Sequence, residues 1–310
     1  MNTHSETMSR SVPGSRALAS PAISPARRLY WGLRRELWEN RFIYLVPLGA
    51  AGAALLGFLP PLLHLPVTVR TASTLPAIKQ LEMLEQPFDL AASLIMLAFL
   101  AVAAFYCVEA LYGERRDRSI LFWKSLPVSD LTTVLAKASI PFVFLPLLAV
   151  AITVATQFLM LLLSSAMLWV SGESAGLLWS QLSPFRMSWH LLYHIFTVHV
   201  LWSAPLYAWL LLASAWAKRA AFLWAVLPPL GFSILEKMLF NTSHFALLLL
   251  DRFSGGGIEA QTAPGTMPMN PMTELTPFRF LASAGLWIGL ALAAAFLAAA
   301  VRLRRYRGPI

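Results

Sequence analysis

From Leu90 to Val108 the sequence reads LAASLIMLAFLAVAAFYCV, without a charged residue. A helix crosses the ~30 Å hydrocarbon core of a bilayer with about 20 residues at ~1.5 Å rise. A soluble chain of 310 residues has no use for so long an apolar run. Similar runs recur at Phe42–Leu59, Ala138–Leu163, Leu191–Ala217, Ala220–Leu239 and Phe280–Val301. Hydrophobic residues make up 58% of the chain and charged residues 13%, and the mean hydropathy is +0.64. The expectation is an all-α integral membrane protein with six transmembrane helices. Only Lys218 and Arg219 separate the fourth run from the fifth, which predicts a tight helical hairpin there.

The net charge of +9 is compatible with nucleic-acid binding. Its distribution points instead to a membrane, because the bases flank the apolar runs. Cytoplasmic segments carry an excess of Lys and Arg. Placing both termini inside leaves only Arg70, Lys79, Arg186, Lys237, Arg252 and Arg279 of the 24 bases on the outer side. Residues 1–24, rich in Ser, Pro and Ala, are expected to form a disordered cytoplasmic tail without a signal-peptide core. A single cysteine, Cys107, excludes an internal disulfide and any multi-cysteine metal cage.

Two segments outside the spans carry structure of their own. PARRLYWGLRRELWEN (Pro25–Asn40) places Tyr30, Leu33 and Leu37 on one helical face, with Trp31 and Trp38 beside it, and Arg28, Arg35 and Glu39 on the other. Such a helix lies in the membrane interface, its arginines against anionic headgroups. LYGERRDRSILFWKSLPVSD (Leu111–Asp130) opens with five successive charges, Glu114 to Arg118, and turns apolar at Ile120 to Trp123. The charges cost too much to enter hydrocarbon, while a plain solvated loop has no need of the aromatics. One helix from Glu114 to Leu126, stopped before Pro127, suits a piece that sits in another protein's groove. Ser129 or Asp130 then caps the next helix, and Glu109 is placed to pair with an arginine of the block.

An interfacial elbow helix, six spans, inside termini and a helical insert after the second span resemble the ABC-2 type permease family. The likeness runs from about Pro25 to Arg305 and is most specific at Leu111–Asp130. It implies a permease domain over 25–305, with the elbow at 25–40, the coupling segment at 111–130, and outer loops at 60–89, 164–190 and 241–279. It further implies that Glu114, Arg115, Arg116, Asp117, Arg118 and Trp123 form the contact with a separate ABC ATPase subunit. The family works with two permease copies, so a homodimer or a heterodimer with a sibling permease follows. ATP and Mg would be bound by the partner, since no G-x-x-x-x-G-K-[ST] phosphate loop occurs in this chain. By the resemblance the protein is a non-enzymatic exporter subunit of the bacterial inner membrane, moving a lipid, antibiotic or peptide-like cargo. No nucleic-acid partner, cofactor or metal of its own is expected.

Other features have structural readings. His190 and His194 share a helical face, with His199 on the opposite side, and no H-E-x-x-H accompanies them. Trp202, Trp209 and Trp216 recur at seven-residue spacing as a packing stripe. Gly49, Ala53 and Gly57, and again Gly285 and Gly289, allow close helix approach. Pro141, Pro146, Pro205, Pro228 and Pro229 are expected to kink their spans. Glu236 and Lys237 interrupt the fifth span near its outer end, and His244–Phe253 is apolar but too short to cross. The competing classes are an ion-coupled secondary transporter, which needs central carboxylates, and a membrane enzyme, for which no catalytic motif is present.

Overall fold

The computed structural model describes residues 24–125, 128–254 and 277–307, which contain helices and no strand. The first helix, α1 (Pro25–Glu39), starts where Ser24 Oγ accepts from the Arg27 amide at 3.4 Å and Pro25 sets the first turn. Two long helices follow, α2 (Phe42–Ala72) and α3 (Ala77–Glu109), joined by a tight turn. Two short ones, α4 (Tyr112–Arg116) and α5 (Ser119–Ser125), form the charged block. Next, α6 (Asp130–Ser139) passes through a π-helical turn at Ile140–Phe144 into α7 (Leu145–Val170). Ser129 Oγ caps α6 by accepting from the Thr132 amide at 3.1 Å.

After α8 (Gly176–Gln181), α9 (Pro184–His194) continues as a second π-helical segment, Ile195–Trp202, and then bends into α10 (Ala204–Trp216). The remaining helices are α11 (Ala221–Phe240), α12 (His244–Ser254), α13 (Pro277–Ala282) and α14 (Ala284–Tyr306). Among the described residues, five helices are long and apolar enough to cross a membrane. A sixth span arises when Met187–Trp202 and Ala204–Trp216, bent by 48°, count as one. The chain is therefore a multi-pass, all-helical membrane protein.

Two large clusters dominate the packing of the described residues. Nearer the charged block, Ile43, Ile95, Phe99, Tyr106, Ile140, Leu145 and Leu211 bring α2, α3, α7 and α10 together. At the opposite end, Phe58, Val69, Leu84, Phe88, Met160 and Leu168 join α2, α3 and α7. Ala204, Ala208 and Ala293 let α10 and α14 approach closely. By contrast, α11 buries only Ala221 and Ala225.

Several expectations change. The segment 60–89, expected as an outer loop, is helical apart from the turn between Ala72 and Ala77. α2 accommodates Pro47, Pro60, Pro61 and Pro66 within its length. The segment 164–190 is likewise mostly helix, as α7 extends to Val170 and α8 and the start of α9 follow. The segment 241–279, expected as an outer loop, contains α12 and the start of α13, and its part at 255–276 lies outside the described residues. So do residues 1–23 of the tail, and Leu126 and Pro127.

The single helix expected over Glu114–Leu126 is instead two, broken at Asp117–Arg118, where Arg118 adopts a left-handed φ of 58°. The tryptophan stripe is interrupted too, because Trp202 precedes the bend. The Trp202 indole donates to the Asp251 carbonyl at 3.0 Å, that of Trp209 to the Ala225 carbonyl at 2.9 Å, and Trp216 packs on Trp224. A side chain at Gly49 or Gly57 would meet open space, so these glycines do not mark a close approach within the chain. Gly289 makes room for the Arg252 guanidinium, since a Cβ there would lie 2.7 Å from Nη1.

Candidate functional site

The charged block, the elbow helix and the ends of two spans meet in a buried ion cluster. Glu36, on α1, is 2% exposed and receives Lys137 Nζ at 2.8 Å and Arg35 Nη2 at 2.6 Å on the same oxygen. Its other oxygen accepts from the Tyr106 hydroxyl at 2.9 Å. Glu114, on α4, is paired with Arg35 at 3.0 Å, with Lys137 at 3.2 Å, and with Arg304 of α14. The Arg304 Nε reaches Asp130 Oδ1, at the head of α6, at 3.1 Å. Arg35, Lys137 and Arg304 thus face Glu36, Glu114 and Asp130, with Glu39 at the rim, 3.5 Å from Arg35.

Buried charge is tolerable only when paired and hydrogen-bonded. Here four segments distant in sequence supply the partners, so none can leave without stranding a charge on another. Burial by itself would raise the Glu36 carboxyl, but Lys137 and Arg35 hold it below its ordinary value.

A second set of contacts fixes the block to α10. Arg115 Nη1 donates to the carbonyls of Ala215 at 2.7 Å and Ala217 at 3.0 Å. Arg307 also donates to the Trp216 carbonyl. Both cations thereby satisfy the last turn of α10, where backbone acceptors lack helical donors and the dipole favours positive charge. Ser214 Oγ accepts from the Leu111 and Tyr112 amides at 2.9 and 2.8 Å, pinning the α3–α4 junction. Lys124 of α5 donates to the carbonyls of Arg305 and Arg307.

The six residues expected at a partner's surface separate into two groups. Glu114 and Arg115 are buried, at 8% and 5% exposure, and are bonded within the chain. Trp123 is partly buried, its ring lying 3.8 Å below the Arg35 guanidinium. Arg116, Asp117 and Arg118 are exposed, and Leu121 and Phe122 of α5 are exposed beside them. Arg116 bonds Glu109 at 2.8 Å and Asp117 at 3.1 Å. The outward surface of the block is therefore cationic and aromatic, while its inner surface holds it to the bundle.

Arg35 departs from its expected place against lipid headgroups by turning into the cluster, whereas Arg34 lies on the exposed side between Trp31 and Trp38. Sequence reasoning passed over Glu36, Lys137 and Arg304 as members of a site. The available signal was a carboxylate between Leu33 and Leu37, on the otherwise apolar face of α1.

The histidines do not arrange as spaced on an ideal helix. A π-helical segment bonds i to i+5, which brings the rings of His194 and His199 to 5.4 Å. No group of three residues able to hold a metal occurs among the described residues. Glu236 serves as a cap: it accepts from the His244 and Phe245 amides, both at 2.8 Å, and from the Thr242 hydroxyl, at the start of α12. Lys237 is exposed beside it.

Compared with protein-family models, curated proteins and solved structures, the chain matches none. The class defined by the fold is a multi-pass helical membrane protein with an ion-braced block between its second and third spans.

Proposed function

We propose that this chain is the permease subunit of an ATP-binding cassette exporter, driven by a separate ATPase that binds the outward surface of α4 and α5. The observation that carries the reading is the braced block itself. Exposed Arg116, Asp117, Arg118, Leu121 and Phe122 sit on a segment whose opposite surface is bonded to α1, α6, α10 and α14. A load applied to that surface reaches the elbow and three spans through short, buried polar contacts. A solvated linker has no need for such bracing.

On this reading the block faces the cytoplasm of a bacterium and two permease copies share one pair of ATPases. ATP and Mg belong to the partner, and the cargo is a lipid, antibiotic or peptide-like molecule. The docking set differs from the one the resemblance implies: Glu114, Arg115 and Trp123 position the surface instead of forming it, and Leu121 and Phe122 join it.

Copurification with the ATPase, together with stimulation of its turnover, tests the proposal. Arg118→Glu with Phe122→Ala should abolish both while leaving the thermal midpoint of the isolated chain unchanged. Unaltered stimulation by that variant, or transport that survives ATP depletion and stops with an uncoupler, would overturn it in favour of an ion-coupled transporter.

A further inference from the structure

A cleft of about 750 Å³ opens at the charged end of the bundle, between the start of α2, the end of α3 and the start of α11. Its wall is apolar, with Val46, Ala101, Phe105 and Phe222 along it, and its size falls within the range of about 300–1,000 Å³ common to ligand pockets. It lies open beside α11, of which only Ala221 and Ala225 are buried.

The mouth is polar. Arg116 and Glu109 line it as an ion pair. The residue before the lining Phe42 is Arg41, and those before the lining Ala220 are Lys218 and Arg219, all three exposed. One cation of the lining, Arg116, pairs with Glu109, and three further exposed cations adjoin the lining residues in sequence.

We infer that this cleft binds an anionic membrane phospholipid, with one acyl chain along Phe105 and Val46 and the headgroup phosphate against Arg116, Lys218 and Arg219. In a bilayer the apolar part of the cleft adjoins hydrocarbon and fills with an acyl chain more readily than with water. Basic residues at the membrane surface add attraction for anionic headgroups. A second copy of the chain is a poorer occupant, because it brings the same basic residues to the same level and the like charges repel. The inference rests on the membrane architecture and not on the transporter reading, so either can fail alone.

The full chain reconstituted in nanodiscs of equimolar phosphatidylglycerol and phosphatidylcholine tests this. Lipids retained after transfer to mild detergent are counted by native mass spectrometry. Phosphatidylglycerol should be retained at least about fivefold over phosphatidylcholine. Lys218→Ala with Arg219→Ala should bring that ratio towards parity. Ala101→Phe, which fills the cleft from an exposed position, should reduce retention of both lipids, and excess inorganic phosphate should displace neither. Equal retention by the parent chain, or an unchanged ratio in the double variant, overturns the inference. So does displacement by phosphate, which would mark a free-anion site. Loss of self-association in Ala101→Phe with lipid retention unchanged would assign the cleft to a second copy.

Discussion

Glu36 lies between Leu33 and Leu37 on the side of α1 that packs into the bundle, and its charge is answered by Lys137 and Arg35. Removing one partner of a buried pair typically costs ~3–5 kcal/mol, because the remaining charge stays buried. Glu36→Gln should therefore lower the unfolding free energy in detergent by that order, measured by denaturant titration. The pH dependence has a definite sign. Since the folded carboxyl is held below its ordinary value near 4.5, its contribution is complete above that value and is lost as pH falls through the lower folded one. The thermal midpoint of the parent should decline below about pH 4.5, and the Glu36→Gln profile should start lower and fall less. A parent profile that stays flat into acid would count against the cluster as a source of stability.

At the scale of elements, α12 is tied to the bundle by Arg252. Its guanidinium, 7% exposed, donates to the Trp202 carbonyl at 3.1 Å and the Gly285 carbonyl at 2.6 Å and stacks 4.0 Å from the Trp202 ring. The Trp202 carbonyl stands at the bend between the second π-helical segment and α10, where regular helical bonding stops. Hydrogen bonds to charged groups are worth ~1.5–3 kcal/mol. Arg252→Ala should therefore speed amide exchange in α12 by about tenfold or more, and Gly289→Val should do the same by displacing the guanidinium.

The elements also show why parts of the fold were hidden in the sequence. Positions 79–89 hold Lys79, Glu82, Glu85 and Asp89, which read as a loop. Yet Gln80, Leu84, Phe88, Ala91 and Ile95 bury themselves at helical spacing. The first apolar run ends at Leu59, yet α2 carries on through Pro60, Pro61 and Pro66 as one helix. The long apolar spans, the elbow and the Ser129 cap were legible because each rests on local pattern. The ion cluster was not, since it joins residues as far apart as Glu36 and Arg304, and spacing along the chain carries no trace of such a meeting.

For the molecule as a whole, the lone cysteine makes orientation measurable. Cys107 is fully buried, so single cysteines introduced elsewhere report against a silent background. Ser125→Cys, on the charged block, should react with an impermeant maleimide only after the membrane is opened, whereas Thr74→Cys, in the turn between α2 and α3, should react in intact cells. The opposite pattern would reverse the assignment and remove the proposed docking surface from the cytoplasm.

The stitching of Lys124 to the carbonyls of Arg305 and Arg307 has a practical corollary. A chain cut before Arg305 would lose both acceptors and leave the end of α5 untied. Such a shortened chain, compared with the parent for yield and for capture of the ATPase, would show how much of the block's footing this seam supplies.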